Sequence, residues 1–217
     1  MIKGVTKVIA VRHGECTWNR EGREMGWKDS PLTPEGIAQA QVLATRLQKI
    51  GFDALYSSDL GRAQATAQYI ADKSGAKIET DIRLRERNMG IFQGLTIAEM
   101  RRKYADIRRE YEQRSSSYII PMGESADQRQ QRALECFEEF AGKHIGKTIV
   151  IVTHGGVLGG ILQHILRVSH ETASSFRKPM AYASLNVFEH ESGRWFLVTW
   201  NDTGHLGDLE IYDDMLH

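Results

Sequence analysis

Two short, uninterrupted apolar segments stand out along the chain. They are Lys7–Val11 (KVIAV) and Thr148–Thr153 (TIVIVT), both rich in β-branched residues and neither alternating with polar positions. This pattern is typical of parallel strands that helices cover on both faces. We therefore predict two central strands, and each is followed within two residues by a histidine, His13 or His154.

A helix is predicted between Thr33 and Gly51. Threonine followed by proline is a favoured helix start, and glycine is a favoured end. The apolar residues of this segment recur every three or four positions, as they do on the buried face of a helix. They are Ile37, Ala40, Leu43, Leu47 and Ile50.

The remaining patterns alternate between strands and helices. We predict a strand at Asp53–Tyr56, helices at Leu60–Ala71 (opened by Ser-Ser-Asp), Ser125–Ala141 and Val157–Leu166, a loop at Gln113–Ser125, and a hairpin of Ala183–Glu189 with Trp195–Trp200. This order predicts an α/β fold, a three-layer α/β/α sandwich whose central sheet is mostly parallel with an antiparallel edge. Since ordered patterns flank the polar loop on both sides, residues 1–217 are predicted to form one domain.

Composition narrows the class of protein. The 217 residues contain 28 Lys+Arg and 28 Asp+Glu, so the basic excess of a general nucleic-acid or membrane-surface binder is missing. No apolar run is long enough to span a bilayer, and the amino terminus lacks the pattern of a signal peptide. Two cysteines, Cys16 and Cys136, are too few for a disulfide scaffold. We expect a cytoplasmic protein that binds neither nucleic acid nor membrane.

Candidate chemistry collects where the predicted strands end. Ligands of open α/β sheets bind beyond the carboxyl ends of the strands. The residues at or beside these ends are two histidines, two arginines, two serines and three glycines: His13, His154, Arg12, Arg62, Ser57, Ser58, Gly14, Gly155 and Gly156. Glycine lets a ligand approach the backbone, and a helix amino terminus points free N–H groups at an anion. Together these features predict a phosphate site.

The residue types also suit phosphoryl transfer. A neutral imidazole is a good nucleophile near pH 7, and neighbouring arginines disfavour its protonation. Fixed cations stabilise the charge on the three equatorial oxygens of the transferring group. A carboxyl group that works as an acid needs a raised pKa, which a partly buried site can provide.

The same residues carry a family resemblance that covers essentially the whole chain. The motifs are VRHGECTWN (11–19), PLTPEGIAQA (31–40), LYSSDLGRAQATA (55–67), LRERNMGIFQG (84–94), GES (123–125) and VTHGGV (152–157). In content, order and spacing they resemble the histidine phosphatase superfamily, which includes cofactor-dependent phosphoglycerate mutases. The resemblance implies a phosphoglycerate mutase-like sandwich.

The resemblance also implies a role for each matching residue. His13 would be the nucleophile that becomes phosphohistidine, and Arg12, Arg62 and His154 would hold the phosphoryl oxygens. Glu86 would protonate the leaving group and then activate water. Asn19 and the backbone at Gly155 would be secondary phosphate contacts. No metal ion or cofactor is implied, because these organic groups form a complete set of phosphate ligands.

Less specific interpretations exist for several of these residues. Paired histidines also occur in zinc sites, but neither H-E-x-x-H nor a Cys/His cluster is present. Arg62 could be a solvated helix residue, and Glu86 lies in the charged run RLRER. Two departures from the family pattern are Gln93, at a commonly acidic position, and Cys16, where Ser or Thr is usual. The Cys16 thiol could be ionised by nearby arginines and oxidisable, or simply packed.

Three functions follow in order of preference. The first is a phosphatase that acts on a small phosphorylated metabolite. The second is a phosphoglycerate mutase, although only 67 residues separate Glu86 from His154, without the longer insertion that such mutases usually carry. The third is an inactive, protein-binding family member. Substrate selectivity is expected from loops at Arg20–Ser30 and Lys103–Met122, and a homodimer is left open.

Overall fold

The computed structural model describes residues 4–113, 116–174 and 180–209, and a six-stranded sheet forms its centre. The strands are β1 (Thr6–Arg12), β2 (Ala54–Ser57), β3 (Ile78–Thr80), β4 (Thr148–Thr153), β5 (Leu185–Glu191) and β6 (Arg194–Asp202). Their order is β3-β2-β4-β1-β5-β6. The first four are parallel, and β5 and β6 add antiparallel pairs. The mostly parallel sheet with an antiparallel edge is therefore confirmed.

Eight α-helices lie within the described residues. They are α1 (Thr17–Arg20), α2 (Pro34–Ile50), α3 (Gly61–Ser74), α4 (Ile97–Lys103), α5 (Ala105–Glu112), α6 (Ala126–Lys143), α7 (Gly155–Leu166) and α8 (His170–Ser174). Every predicted helix is present, with ends displaced by at most three residues. In the described part of the chain, no helix has both the length and the apolar character needed to cross a membrane.

The sheet lies between two layers of helices. Val8 and Ala10 of β1 pack in one core cluster with α6 and α7, whereas Ile9 and Val11 pack in another with α2 and α3. The residues of β4 divide in the same alternating way. Because successive side chains of a strand point to opposite faces, an uninterrupted apolar strand needs such a cover on both sides. The three-layer sandwich is confirmed.

The ends of α2 are set by capping residues that adjoin the helix in the sequence. The Thr33 hydroxyl accepts a hydrogen bond from the Gly36 N–H at 2.9 Å, Pro34 occupies the first turn, and Gly51 ends α2 with a φ of 76°. This confirms the predicted boundaries of α2 at both ends.

A third, smaller cluster lies outside the sandwich. It contains Met89, Phe92, Met100 and Ile120, with Tyr104, Ile107, Tyr111 and Tyr118 packed against them. The prediction of a loop over Lys103–Met122 is wrong for its first half, since α5 occupies Ala105–Glu112. Ring contacts of Phe92 with Tyr111 of this helix and with Tyr104 at its start explain the difference. Residues 114 and 115 of the predicted Gln113–Ser125 loop lie outside the described residues.

Candidate active site

The carboxyl ends of β1 and β4 bring the two motif histidines together. Arg12 is paired with Thr153 in the sheet, so His13 and His154 follow side by side, with ring centroids 5.2 Å apart. Both are buried. His13 also lines a cleft of about 330 Å³, whose walls include Arg12, Asn19, Arg62, Glu86 and Gly155. The structure thus brings the sequence-predicted site residues to one place.

Hydrogen bonds define the state of the His13 ring. Nδ1 lies 2.8 Å from the Gly14 carbonyl oxygen, an acceptor, so Nδ1 carries the proton and Nε2 keeps its lone pair. The Arg62 Nε–H donates to Nε2 at 3.3 Å. Burial, followed by the charges of Arg62 and Arg12, holds the pKa of His13 well below its usual value. The ring is therefore neutral at pH 7, with a free lone pair on Nε2.

Arg62 is a buried residue of the site, not a solvated helix charge. Its guanidinium donates to the carbonyl oxygens of Gly26 and Lys28, at 2.8 and 2.9 Å, and to Asp29 Oδ1 at 2.8 Å. These acceptors belong to one loop and fix the direction in which Nε–H points at His13.

Asp29 is a residue that sequence reasoning missed. Besides the pair with Arg62, its carboxylate accepts the Gly61 N–H at 2.7 Å at the start of α3, where Leu60 offers no side-chain cap. The predicted opening of this helix by Ser-Ser-Asp is corrected accordingly. Nothing near Gly61 in the sequence signals the cap, because Asp29 lies 32 positions earlier.

Arg12 is held by a residue pair near the end of the chain. Its guanidinium lies 3.9 Å above the centre of the Tyr182 ring, and Nη1 donates to the Met180 carbonyl oxygen at 2.5 Å. Arginine stacks well on aromatic rings and so keeps its orientation. No sequence motif predicts Tyr182 at this position.

His154 is oriented by the end of β2. Its Nε2 lies 2.9 Å from Ser58 Oγ, while Nδ1 has no hydrogen-bond partner among the described residues. Burial and the charge of Arg62 hold the pKa of His154 well below its usual value. Nδ1 is therefore the ring nitrogen that is still able to form a further hydrogen bond.

Glu86 lies at the amino end of α7 and not on a solvated face. Oε2 accepts the Gly156 N–H at 2.8 Å, and Oε1 accepts the Arg87 N–H at 2.7 Å. A Cβ atom on Gly156 would lie 2.3 Å from Oε1, so a side chain at this position would displace the carboxylate. Helix α7 consequently begins at Gly155, two residues before the predicted start.

Asn19 and Cys16 are joined by a local turn. The Cys16 N–H donates to Asn19 Oδ1 at 3.0 Å, and Asn19 reaches the wall of the cleft. The Cys16 thiol is fully buried, 3.8 Å from His13 Nδ1, and burial raises its pKa to about 12. The interpretation of Cys16 as an ionised thiol is therefore wrong, because desolvation outweighs the attraction of the arginines.

These features define a class of site: a cleft lined by buried arginines around a neutral histidine nitrogen. Among the residues described, no three His, Cys, Asp or Glu side chains are grouped as metal ligands would be. The chain belongs to the histidine phosphatase superfamily (branch 1), whose family model matches residues 8–203.

Named relatives cover nearly the whole chain. A metal-independent phosphoserine phosphatase of Arabidopsis thaliana is 36% identical over 94% of this chain and 85% of its own length. A probable phosphoglycerate mutase GpmB of Yersinia pestis is 33% identical, covering 96% of this chain and 98% of that protein. The solved structure of Bacillus stearothermophilus YhfR matches with a TM-score of 0.85 and 33% identity, over 93% and 99% of the two chains.

Proposed function

We propose that the protein hydrolyses small phosphate monoesters through a phosphohistidine on His13. The observation that carries the proposal is the neutral His13 ring, whose unprotonated Nε2 lies beside Arg62 in the buried cleft. A cleft of about 330 Å³ suits a small metabolite. The phosphatase relative from Arabidopsis supports the same reaction class.

The reaction takes place in two transfers at phosphorus. The Nε2 lone pair of His13 attacks phosphorus, the bond to the leaving oxygen breaks, and a protonated Glu86 gives its proton to that oxygen. A water molecule then attacks phosphorus while Glu86 takes up its proton, and the P–N bond to His13 breaks. The net products are an alcohol and inorganic phosphate.

The arginines stabilise the charge that moves during these steps. The Arg62 Nε–H that donates to His13 Nε2 in the resting site is released when Nε2 bonds to phosphorus, and it can then donate to a phosphoryl oxygen. Arg12, held by Tyr182, supplies a second fixed cation. Such preorganised charges lower the barrier most where water is excluded.

The test compares wild type with His13→Ala on p-nitrophenyl phosphate, phosphoserine, phosphoglycerates and sugar phosphates. We expect phosphate release to fall by about 10³-fold or more in the variant. Rapid acid and alkaline quench of wild type with labelled substrate should trap an acid-labile, alkali-stable phosphoprotein. Undiminished phosphate release by His13→Ala would show that the proposal is wrong.

A phosphoglycerate mutase is the second candidate, favoured by the Yersinia relative. The two activities share the first transfer and differ in the acceptor of the phosphoryl group, which is water or a second hydroxyl. Interconversion of 2- and 3-phosphoglycerate that depends on a bisphosphoglycerate primer would identify a mutase. Phosphate release without interconversion would identify a phosphatase.

A further inference from the structure

Arg129 is an arginine near the site that lacks the partners its neighbours have. It lies in the first turn of α6, is half-buried, and its Nε atom is shielded from water without an acceptor among the described residues. Arg132 on the same helix is bonded to Glu124, and Arg108 on α5 to Glu112. Burying a guanidinium without a full set of hydrogen-bond acceptors destabilises the folded protein. Buried ionisable groups of this kind are typical of functional sites.

The Arg129 guanidinium lies beside Glu86. A Cβ atom built on Gly156 would lie 2.8 Å from Arg129 Nη1 and 2.3 Å from Glu86 Oε1. The two side chains therefore approach the same glycine. Nη2 is 3.1 Å from the corresponding point on Gly160, one turn further along α7. A cation at the amino end of a helix is unfavourable, so this position requires an anion nearby.

Glu86 cannot supply that anion throughout the proposed reaction. As the proton donor it must be uncharged when the substrate is bound, and Arg129 would then face the positive end of α7 without a counter-charge. The other carboxylate close enough to act on Arg129 is Glu124, which is already paired with Arg132, so additional negative charge has to come from the ligand. Because the leaving oxygen must lie within hydrogen-bond distance of Glu86, groups on the adjoining carbon atoms come within reach of Arg129.

We propose that Arg129 is a specificity-determining residue that binds a carboxylate on the leaving group of the substrate. The inference rests on the proposed function and narrows it to phosphate esters of hydroxy acids. A carboxylate brings the single negative charge that one arginine lacks, and its two oxygens match the guanidinium fork. Its binding also neutralises Arg129 at the stage when Glu86 must hold a proton.

The test uses pairs of esters that differ only in this group. 3-Phosphoglycerate and glycerol 3-phosphate differ by a carboxylate in place of a hydroxymethyl group, and phosphoserine and phosphoethanolamine by a carboxylate in place of hydrogen. We expect wild type to prefer the acid of each pair in kcat/KM, and Arg129→Met to lower that preference about 10- to 100-fold. Arg129→Lys should retain part of it. Gln130→Met, a neighbouring change against Gly160, should leave the ratio unchanged.

A binding measurement separates this inference from the proposed reaction. Dissociation constants of the same pairs are measured by calorimetry on His13→Ala protein with and without Arg129→Met. A selective loss of affinity for the acids supports the inference even if no ester is hydrolysed. Equal losses for both members of a pair, no loss, or a wild type without preference for the acids would overturn it. Phosphate release that does not depend on His13 would instead refute the proposed function.

Discussion

His13 and Cys16 show how one environment sets two protonation states. Both side chains are buried and both feel the charges of Arg12 and Arg62. Burial favours the uncharged form of each group, whereas positive charge lowers the pKa of either. The two effects therefore add for the histidine and oppose each other for the thiol. The result is a neutral imidazole beside a neutral thiol.

The thiol state gives a direct prediction. With a pKa of about 12, Cys16 holds almost no thiolate at pH 8, and burial also raises the pKa of Cys136. We expect the native protein to leave both thiols unmodified by a disulfide reagent at pH 8, and the denatured protein to react with two equivalents. Rapid native modification of one thiol, with loss of phosphatase activity, would contradict this assignment.

Residue patterns could identify the chemical groups but not all of their supports. His13, His154 and Arg62 follow from their places near predicted strand ends, where a parallel sheet collects its functional groups. Asp29, Tyr182 and Arg129 could not be predicted in this way. Each is brought to the site by tertiary packing from a distant segment, and none has a local signal of its own.

At the scale of elements, a helix cap can be predicted when the capping residue adjoins the helix in the sequence. It cannot be predicted when the capping residue comes from a distant segment. Thr33 and Gly51 define α2 by bonds inside their own segment, and both were predicted. Helix α3 instead begins with a carboxylate from the preceding loop, Asp29. This arrangement ties the start of α3 and the guanidinium of Arg62 to the same side chain.

This double role predicts that two substitutions at Asp29 differ. Asp29→Ala removes the cap and the ion pair, so the free energy of unfolding should fall by about 1–2 kcal/mol and kcat by about 10-fold or more. Asp29→Asn keeps an oxygen acceptor for Gly61 and should recover most of the stability. It should not recover kcat, because Arg62 loses its charged partner.

Urea unfolding and steady-state kinetics with p-nitrophenyl phosphate measure both effects. Asp106→Asn, an exposed acidic residue on α5, is the matched control and should change neither quantity. If the kcat of Asp29→Asn recovered together with its stability, Asp29 would be a helix cap alone.

At the scale of the whole molecule, buried neutral histidines couple folding to pH. The pKa values of His13 and His154 lie well below the ordinary 6.5, and that of His205 is lowered to about 4 by burial and by Arg46. The His205 ring joins α2 to the segment that precedes β5: Arg46 Nη1 lies 3.2 Å from Nδ1, and Nε2 lies 3.0 Å from the Ala183 carbonyl oxygen.

The sign of the effect follows from proton uptake. As pH falls below 6.5 the unfolded chain protonates these histidines while the folded protein does not, so acid favours unfolding. The stability they contribute is complete above pH 6.5 and is lost towards pH 4, with a slope of about 1.4 kcal/mol per pH unit for each histidine that stays neutral.

His205→Gln should remove the contribution of one histidine to the slope of unfolding free energy against pH between pH 6.5 and about 4, as measured by urea unfolding at several pH values. His164→Gln, at an exposed position on α7, should leave the slope as it is in wild type. An unchanged slope in His205→Gln would mean that His205 is protonated in the folded protein, and the bonds from Arg46 and to Ala183 would then need a different assignment.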